Sequence, residues 1–229
     1  MSTLWGDVAD ERKAGRPGTP LAGYVVTRME SKAALDIVVA RHYLHRAAPC
    51  EHAFGLFLGD SVRGVCIYGT PSSAPLRSGI AGPEYARDMI ELTRLCVDDS
   101  VPRNGESFLI GATLGWIDKD IVVSFADTAA GHVGTVYQAT NWLYTGLSAK
   151  RTDWTVEGVS KHGQTLADKH DAASIREAYG DRFSIQERSR KHRYIYLRGT
   201  KRRIRELRAA LRYPVVPYPK PIGPIASAT

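Results

Sequence analysis

The stretch MIELTRLCVDDSVPRNGESFLIGATLGWIDKDIVVSFAD, residues 89–127, determines which class of fold the chain can adopt. Residues 89–97 alternate like a strand, and residues 106–119 carry the apolar stripe of a helix. Residues 121–126 form a short, mostly apolar run, typical of a parallel strand buried on both faces. Two such strands joined by a helix pair through a right-handed crossover. The stretch therefore predicts an α/β domain with a mixed central β-sheet flanked by helices.

Further predicted elements lie on both sides of this unit. We predict a flexible N-terminal arm over 1–20, one domain over 21–200, and a basic helix with a Pro-rich tail over 201–229. Residues 70–83 have no hydrophobic period and are predicted to form a loop. The other predicted elements are a strand at 24–29, a helix capped by Ser31, a hairpin of strands 54–58 and 63–69, a helix starting near 133, strands at 142–146 and 194–199, and an amphipathic helix at 201–212 with Ile204, Leu207 and Leu211 inward.

The composition excludes several classes of protein. No run of eighteen apolar residues occurs, which excludes a membrane-spanning helix. The N-terminus lacks the apolar core of a signal peptide, so we expect a cytoplasmic protein. The three cysteines, Cys50, Cys66 and Cys96, show no CxxC spacing. We therefore expect a reducing compartment and neither a zinc site nor a disulfide framework built from them.

Positive charge is concentrated near the C-terminus. From Glu187 to Arg212 there are eleven basic and two acidic residues, an excess of nine, whereas the whole chain carries +7. A basic end on a near-neutral body is typical of a contact with a polyanion, most simply a nucleic acid. A solvated helix face without a partner is the alternative interpretation.

The junction VDDSVPRNGESF, residues 97–108, leads from a strand into the start of a long helix. Helix N-termini carry unpaired N–H groups and the positive end of the helix dipole, so a pyrophosphate can bind there. Asn104 suits an N-cap, and Ser107 can bond either a capping partner or a phosphate. No Gly-Lys-Ser/Thr follows, so the junction is not a Walker loop. An ordinary capped helix explains the same residues.

The segment ARHYLHR, residues 40–46, ends the first predicted helix. His42 and His45 are three residues apart, so on a helix they would share a face and could coordinate one metal ion. Tyr43 lies next to them, beside the inward stripe of the helix. A pair of ordinary surface histidines is the alternative.

The segment SFADTAAGHVGTVYQATNWLYTG, residues 124–146, begins in a buried strand that ends at Asp127. Open α/β sheets place functional groups outside the carboxyl ends of their strands. The glycines on either side of His132 allow the backbone to turn closely. The alternative is a plain helix N-terminus, in which Asp127 or Thr128 is the capping residue.

Four motifs together resemble the Mom proteins of bacteriophages, within the GNAT acyltransferase superfamily. They are RHYLHR (41–46), ELTRLCVDD (91–99), NGESFLIG (104–111) and SFADTAAGHVGTVYQATNWLYTG (124–146). The resemblance spans residues 24–199 and implies a GNAT-like fold, in which a helix N-terminus receives the coenzyme A pyrophosphate. It also implies conversion of adenine N6 in phage DNA to N6-carbamoylmethyl-adenine, or methylcarbamoyl-adenine, with acetyl-CoA as the carbon donor. Such a modification shields phage DNA from host restriction.

The resemblance implies roles for particular residues. Around the coenzyme or substrate phosphates it places Arg94 and Ser107, and the loop at the start of the predicted helix adds Arg103 and Gly105 as candidates for cofactor binding. At the reacting centre it places His42, Tyr43, Asp127 and Tyr137. The loop at 103–107 departs from the usual GNAT loop because it lacks the full glycine-rich pattern.

The implied chemistry gives a reason to look for iron(II). In the modified base, the nitrogen is bonded to the methyl carbon of the two-carbon unit, and an acetyl methyl group is not an electrophile. A C–H bond must therefore be activated, and a histidine plus a carboxylate with an open position suits ferrous iron. We hypothesise His42 and Asp127 as ligands, with His132 or a tyrosine completing the set.

A DNA substrate would have to present its adenine flipped out or single-stranded, because a base inside a duplex cannot reach such a pocket. At least two of the aromatic candidates for stacking are expected in the core; the candidates are Tyr68, Tyr137, Trp142 and Tyr144. Basic side chains would hold the phosphates without sequence preference. They are Lys191, Arg193, Lys201, Arg202 and Arg203.

Two other functions fit the same residues. One is a conventional GNAT N-acetyltransferase that acts on a protein or a small amine and needs no iron. The other is a non-catalytic nucleic-acid-binding protein with a degenerate GNAT scaffold. Whether the protein forms a homodimer is left open.

Overall fold

The computed structural model describes residues 11–71, 73–158 and 171–220. The described strands are β1 (Arg12–Ala14), β2 (Tyr24–Arg28), β3 (His52–Leu58), β4 (Ser61–Gly69), β5 (Met89–Val97), β6 (Ile121–Asp127), β7 (Leu143–Leu147), β8 (Arg151–Val156), β9 (Phe183–Arg188) and β10 (Lys191–Leu197). The described helices are α1 (Ser31–Arg41), α2 (Ala74–Gly79), α3 (Gly105–Thr113), α4 (Thr135–Ala139), α5 (Ala172–Tyr179) and α6 (Lys201–Ala210). No helix among these residues has the length and apolar character needed to cross a membrane.

The main sheet has eight strands in the order β1-β2-β3-β4-β5-β6-β10-β7. Strands β1 to β5 pair antiparallel with their neighbours, whereas β5 and β6 are parallel, with Met89 opposite Ile121 and Glu91 opposite Val123. Helix α3 lies in the connection between the two parallel strands. The predicted α/β class and the parallel pair are thus confirmed. Helix α3 ends at Thr113, earlier than predicted, and Gly115 follows as a residue that disfavours helix.

Two local predictions near helix starts and loops are wrong. Glu30, not Ser31, is the N-cap of α1, because its carboxylate accepts a hydrogen bond from the Ala33 amide at 3.3 Å. The predicted loop at 70–83 contains α2, which Ser73 caps by accepting from the Leu76 amide at 3.3 Å, and a 3₁₀-helix follows at Pro83–Asp88. Side-chain capping therefore creates short helices that have no hydrophobic period.

Part of the predicted N-terminal arm belongs to the sheet. Strand β1 pairs with β2, and Arg28 of β2 makes a bidentate contact with Glu11, at 2.6 and 2.8 Å. This paired geometry is the strong form of an arginine–carboxylate contact. Residues 1–10 of the arm lie outside the described residues.

The described residues group into two compact units. The first contains the chain up to Phe125, Gly134–Gly146 and Arg193–Pro219. The second contains Ala126–Val133 and the described part of Leu147–His192. Within the second unit, β8 and β9 form an antiparallel pair covered by α5, around Val156, Ile175 and Phe183. The sequence did not predict this pair, since most of its side chains are polar and its apolar core is small.

The C-terminal part of the first unit packs as predicted. Helix α6 buries Leu207 completely, and Ile204 and Leu211 pack against the same cluster, so the predicted inward stripe is confirmed. The chain then runs along β7, where the Val216 amide donates to the Tyr144 carbonyl at 3.0 Å. It has no regular secondary structure there, and 221–229 lie outside the described residues.

Candidate active site

The turn after α1 places His42 inside the first unit. His42 is the C-cap residue of α1, and its side chain is buried, with 8% of the residue exposed. The Leu44 amide donates to His42 Nδ1 at 3.1 Å, so the neutral ring carries its proton on Nε2. His42 therefore presents a donor, rather than a lone pair, at its second nitrogen.

Tyr43 is stacked on His42, with 4.4 Å between the ring centroids, and is 51% exposed. The prediction that it lies beside an inward stripe is therefore wrong. The helix ends at Arg41, and the chain turns through His45, whose φ of 43° is left-handed. His42 and His45 consequently do not share a helical face, and the predicted metal pair of this segment does not form.

Arg94 of β5 holds the same turn. Its Nε donates to the Arg46 carbonyl at 3.3 Å, its Nη2 donates to the carbonyls of Arg46 at 3.3 Å and Ala47 at 3.4 Å, and its Nη1 donates to the Thr93 carbonyl at 2.6 Å. Burial, and next the charge of Arg46, lowers the pKa of the Arg94 guanidinium. The structure thus makes Arg94 a positioning residue for residues 46–47, and its role at the coenzyme or substrate phosphates stays a prediction.

The Tyr137 hydroxyl is hydrogen-bonded to the buried hydroxyl of Ser124. Ser124 Oγ lies 2.8 Å from the Tyr137 hydroxyl and 2.9 Å from the Leu92 carbonyl. The single proton of Ser124 can serve only one of these oxygens at a time. When Ser124 donates to the Leu92 carbonyl, the Tyr137 hydroxyl can donate to Ser124 Oγ. When Ser124 donates to the Tyr137 oxygen, the phenol proton can be donated to another acceptor.

The surroundings of Tyr137 keep it protonated. Burial raises the pKa of the Tyr137 phenol, and the hydrogen bond with Ser124 acts in the opposite direction. Cys66, Tyr43 and Glu91 lie close enough to raise that pKa further, since their negative forms would repel a phenolate. Tyr43 and Glu91 thus both act on Tyr137 electrostatically. Sequence reasoning missed Glu91 and Ser124, although each is a polar residue in an apolar strand.

The start of α3 forms the second part of the candidate site. Asn104 occupies the N-cap position with a left-handed φ of 75°, but its side chain makes no capping bond, which corrects the predicted cap. Ser107 Oγ donates to the Asn104 carbonyl at 3.0 Å, and Arg103 is exposed. A Cβ on Gly105 would overlap the Val101 side chain, so only glycine fits there. The Gly105 amide donates to the Pro102 carbonyl at 3.1 Å, and the amides that follow it in the first turn have no intrahelical acceptor and lie at the positive dipole end.

Asp127 belongs to the second unit, where it acts as a cap. Its carboxylate accepts from the Ala129 amide at 3.0 Å and lies 3.5 Å from Lys191 Nζ. Burial alone would raise the pKa of Asp127, but the Ser189 and Ala129 hydrogen bonds and the Lys191 charge lower it overall. The capping interpretation of Asp127 is thus confirmed. His132, in the same unit, is exposed, and its amide donates to the Asp127 carbonyl at 3.2 Å.

Comparison with known proteins identifies the family. The model of the Mom protein family matches residues 23–220, which is most of the chain. The chain belongs to the Mom protein family. A curated relative, the protein named Methylcarbamoylase mom of Escherichia phage Mu, is 28% identical over 201 residues, covering 82% of this chain and 80% of the relative. The predicted resemblance is confirmed, and the family match extends through helix α6.

Solved acetyltransferases are similar to this Mom family chain at low sequence identity. A GNAT family acetyltransferase from Bacillus cereus ATCC 10987 has a TM-score of 0.42 and 13% identity, covering 77% of this chain and 99% of its own. The ribosomal-protein-S5-alanine acetyltransferase of Vibrio fischeri has a TM-score of 0.43 and 10% identity, covering 76% and 93%. The fold class itself rests on the strand order described above.

The described residues of this Mom protein do not form the donor set that iron would need. Among residues 11–71, 73–158 and 171–220, no three His, Cys, Asp or Glu side chains gather so that they could hold a metal ion. His42 Nδ1 accepts from Leu44, and Asp127 already has hydrogen-bond and ion-pair partners. The residues present do not fit the hypothesised set of His42, Asp127 and His132, and no step is derived through iron.

The aromatic candidates for stacking on a base are all buried in this Mom chain. Trp142 and Tyr68 are completely buried, and Tyr137 and Tyr144 nearly so. Their rings pack on one another or on neighbours, as Tyr137 does on Trp142 at 5.1 Å between centroids. We expected at least two of the four in the core, and the structure places all four there. Tyr43, by contrast, is an exposed ring, and it is stacked on His42.

The predicted phosphate-binding residues differ in availability. Arg193 is 6% exposed; it donates to Thr145 Oγ1 at 2.9 Å and lies 3.4 Å from the centre of the Tyr213 ring. Lys191 faces Asp127, and Arg203 is held by carboxylates. Lys201 and Arg202 are exposed. We therefore correct the predicted set by removing Arg193 and Arg203, whose guanidinium groups stabilise the fold.

Proposed function

We propose that this protein is a phage DNA-modifying transferase that places a methylcarbamoyl group on adenine N6, with acetyl-CoA supplying the two-carbon unit. The observation that carries the proposal is the Mom family match over residues 23–220. The name of the phage Mu relative, a methylcarbamoylase, supports the identity of the transferred group. The product would protect phage DNA from restriction in the host cytoplasm.

The coenzyme would bind at the start of α3. Its first-turn amides and dipole favour a pyrophosphate, and the exposed Arg103 adds a positive charge beside them. Ser107 donates to the Asn104 carbonyl in the structure and can turn its hydroxyl to a phosphate oxygen. Gly105 lets the loop pass close to Val101, which keeps these amides in position.

The adenine would stack on Tyr43. This ring is 51% exposed, and its other face rests on the buried His42, so it is fixed in direction. Arg94 holds residues 46–47 of the same turn. A flipped base needs an aromatic surface within reach, and Tyr43 offers one at this turn.

Proton handling would fall to Glu91 and Tyr137. The adenine N6 amine must lose one proton in order to carry the new group, and we assign the acceptance of that proton to the Glu91 carboxylate, whose charge acts on Tyr137. Tyr137 cannot act as a base at neutral pH, since burial raises its pKa. It acts instead as a hydrogen-bond donor, with Ser124 supplying the compensating hydrogen bond.

The test is mass spectrometry of nucleosides from plasmid DNA of cells that express the protein. Wild type should produce deoxyadenosine heavier by a carbamoylmethyl group. Tyr43→Ala should reduce that product by about fivefold or more, because stacking on an aromatic ring is worth about 1–3 kcal/mol per base. The matched control is Tyr218→Ala, which removes another exposed aromatic ring, 44% exposed, and should leave the product level unchanged. Unmodified DNA from folded wild type would refute the proposed function.

A further inference from the structure

One face of helix α6 carries exposed cations without acidic partners. Lys201, Arg202, Arg205 and Arg208 are all exposed, and none of them makes a salt bridge within the described residues. At about 100° per residue, these four positions fall within an arc of about 120°. No acidic side chain of the helix lies in that arc. Arg212, just beyond the helix, is exposed as well.

The other flank of the same helix is neutralised. Arg203 lies 2.8 Å from Asp88, 2.7 Å from Asp120 and 2.7 Å from Glu206. These contacts, together with the complete burial of Leu207, fix the rotation of the helix. Thr200 caps its start by accepting from the Arg203 amide at 3.2 Å. The tertiary structure thus anchors one side of α6 and leaves the cationic arc towards solvent, beside the exposed Glu206, which pairs with Arg203.

We propose that this arc, formed by Lys201, Arg202, Arg205 and Arg208, binds the phosphate backbone of the DNA that the protein modifies. This inference rests on the proposed function for the identity of the polyanion. From Lys201 to Arg208 the helix rises about 10 Å, at about 1.5 Å per residue. A DNA strand places a phosphate every 3.4 Å or so along its axis, so the arc spans about three phosphates.

The chemistry of the arc suits phosphate rather than bases. Three of its four residues are arginines, whose planar guanidinium matches a phosphate bidentately. The arc includes no aromatic or amide side chain that would read a base edge. The only other residue of the helix within the arc is Ala209. We therefore expect binding without sequence preference, which holds the duplex while another part of the protein engages the adenine.

The experiment measures binding of the full chain to a labelled duplex oligonucleotide by fluorescence anisotropy over a range of salt concentrations. The test variant is Arg205→Gln/Arg208→Gln. Each neutralised phosphate contributes about 0.9 to the slope of log K against log salt, so the variant should lose about 1.8 from that slope. The same relation predicts a roughly 60-fold weaker binding at about 0.1 M salt.

The matched control is Arg12→Gln/Lys13→Gln, which removes two exposed cations from strand β1. It changes the net charge equally, so it should keep the wild-type slope if the effect is local to α6. Thermal melting checks that each variant is folded, and Lys201→Gln/Arg202→Gln provides a second test on the same arc. A wild-type slope in both α6 variants, or an equal loss in the β1 control, overturns the inference.

Nucleoside mass spectrometry separates this inference from the proposed function. If wild type modifies adenine but the α6 variants bind DNA with the wild-type slope, the proposed DNA-binding surface is wrong and the proposed function is retained. If wild type modifies no adenine but the variants lose slope on DNA, the surface stands and the proposed function fails. Binding of an RNA duplex more than about tenfold tighter than DNA, which is about 1.4 kcal/mol, overturns the choice of DNA as partner.

Discussion

Replacing Tyr137 with phenylalanine tests whether the Tyr137 hydroxyl contributes to catalysis or only to stability. The substitution removes the hydroxyl that lies 2.8 Å from Ser124 Oγ and leaves the buried ring in place. Ser124 keeps a partner, because its proton can remain on the Leu92 carbonyl at 2.9 Å. No buried donor is left unpaired, so the free energy of unfolding should fall by only about 1 kcal/mol. For a chain of this size, that corresponds to a melting temperature lower by about 2–4 °C.

Activity should fall by much more than stability. If the Tyr137 proton stabilises charge that develops during transfer, its removal should lower the rate about 100-fold or more, the usual effect of losing one such donor. The assay measures the fraction of modified deoxyadenosine with time, at equal concentrations of folded protein. Far-UV circular dichroism melting of the same samples supplies the stability comparison.

Tyr68→Phe is the matched control. The Tyr68 hydroxyl is also buried and lies 2.8 Å from Thr113 Oγ1, and Thr113 retains the Leu109 carbonyl as an acceptor at 3.0 Å. Its loss should cost a similar amount of stability and leave the rate near wild type. If the Tyr137→Phe rate is within about threefold of the Tyr68→Phe rate, a gap below about 1 kcal/mol, the assignment of Tyr137 as a donor is wrong.

Three further predictions concern other parts of the chain. Asp127→Ala should lower the free energy of unfolding by about 1 kcal/mol at neutral pH through loss of the cap, whereas Asp127→Asn retains the cap and should lose less. The pKa of Asp127 is lowered in the folded protein, so the charge-dependent part of its stabilisation is fully present above the ordinary carboxyl pKa of about 3.9. That part disappears as the pH falls through the pKa of the folded state. The melting temperatures of wild type and Asp127→Asn should therefore converge in acid. Burial raises the pKa of Cys66 to about 12, so iodoacetamide should label it only in denaturant, and rapid labelling of native protein would contradict its burial. Leu207→Ala should cost about 2–5 kcal/mol in a denaturant titration, whereas the exposed Arg202→Ala should cost under about 0.5 kcal/mol; similar losses for both would contradict the packing of α6.

Local periodicity predicted the frame of the fold. The alternation at 89–97 and the apolar run at 121–126 correctly predicted two parallel strands, because burial on one or both faces is visible within a few residues. The same reasoning correctly predicted the inward stripe of α6. It failed for β8 and β9, since those strands are mostly polar and their pairing depends on partners about thirty residues apart.

The candidate site was predicted only in part, because its members meet through tertiary contacts. Tyr43 and Tyr137 were predicted, whereas Glu91, the first residue of the motif at 91–99, was not singled out, although its charge acts on Tyr137 in the structure. Arg94 matched a motif, yet its donors face the carbonyls of residues 46–47, on another part of the chain. The motif therefore identified neighbouring residues in the sequence, but it could not show which of their side-chain donors are hydrogen-bonded within the fold.

The basic residues near the C-terminus differ in what the sequence predicts and what the fold does with them. The sequence by itself determined that the basic residues are concentrated between 187 and 212, and that an amphipathic helix lies among them. Only the tertiary structure decided which of these cations are available: Arg193 is buried against Tyr213, Arg203 is held by Asp88 and Asp120, and Arg205 faces solvent. The physical reason is that the pairing of a charge depends on distance in space: besides the nearby Glu206, Arg203 pairs with Asp88 and Asp120, which are more than eighty residues away in the sequence.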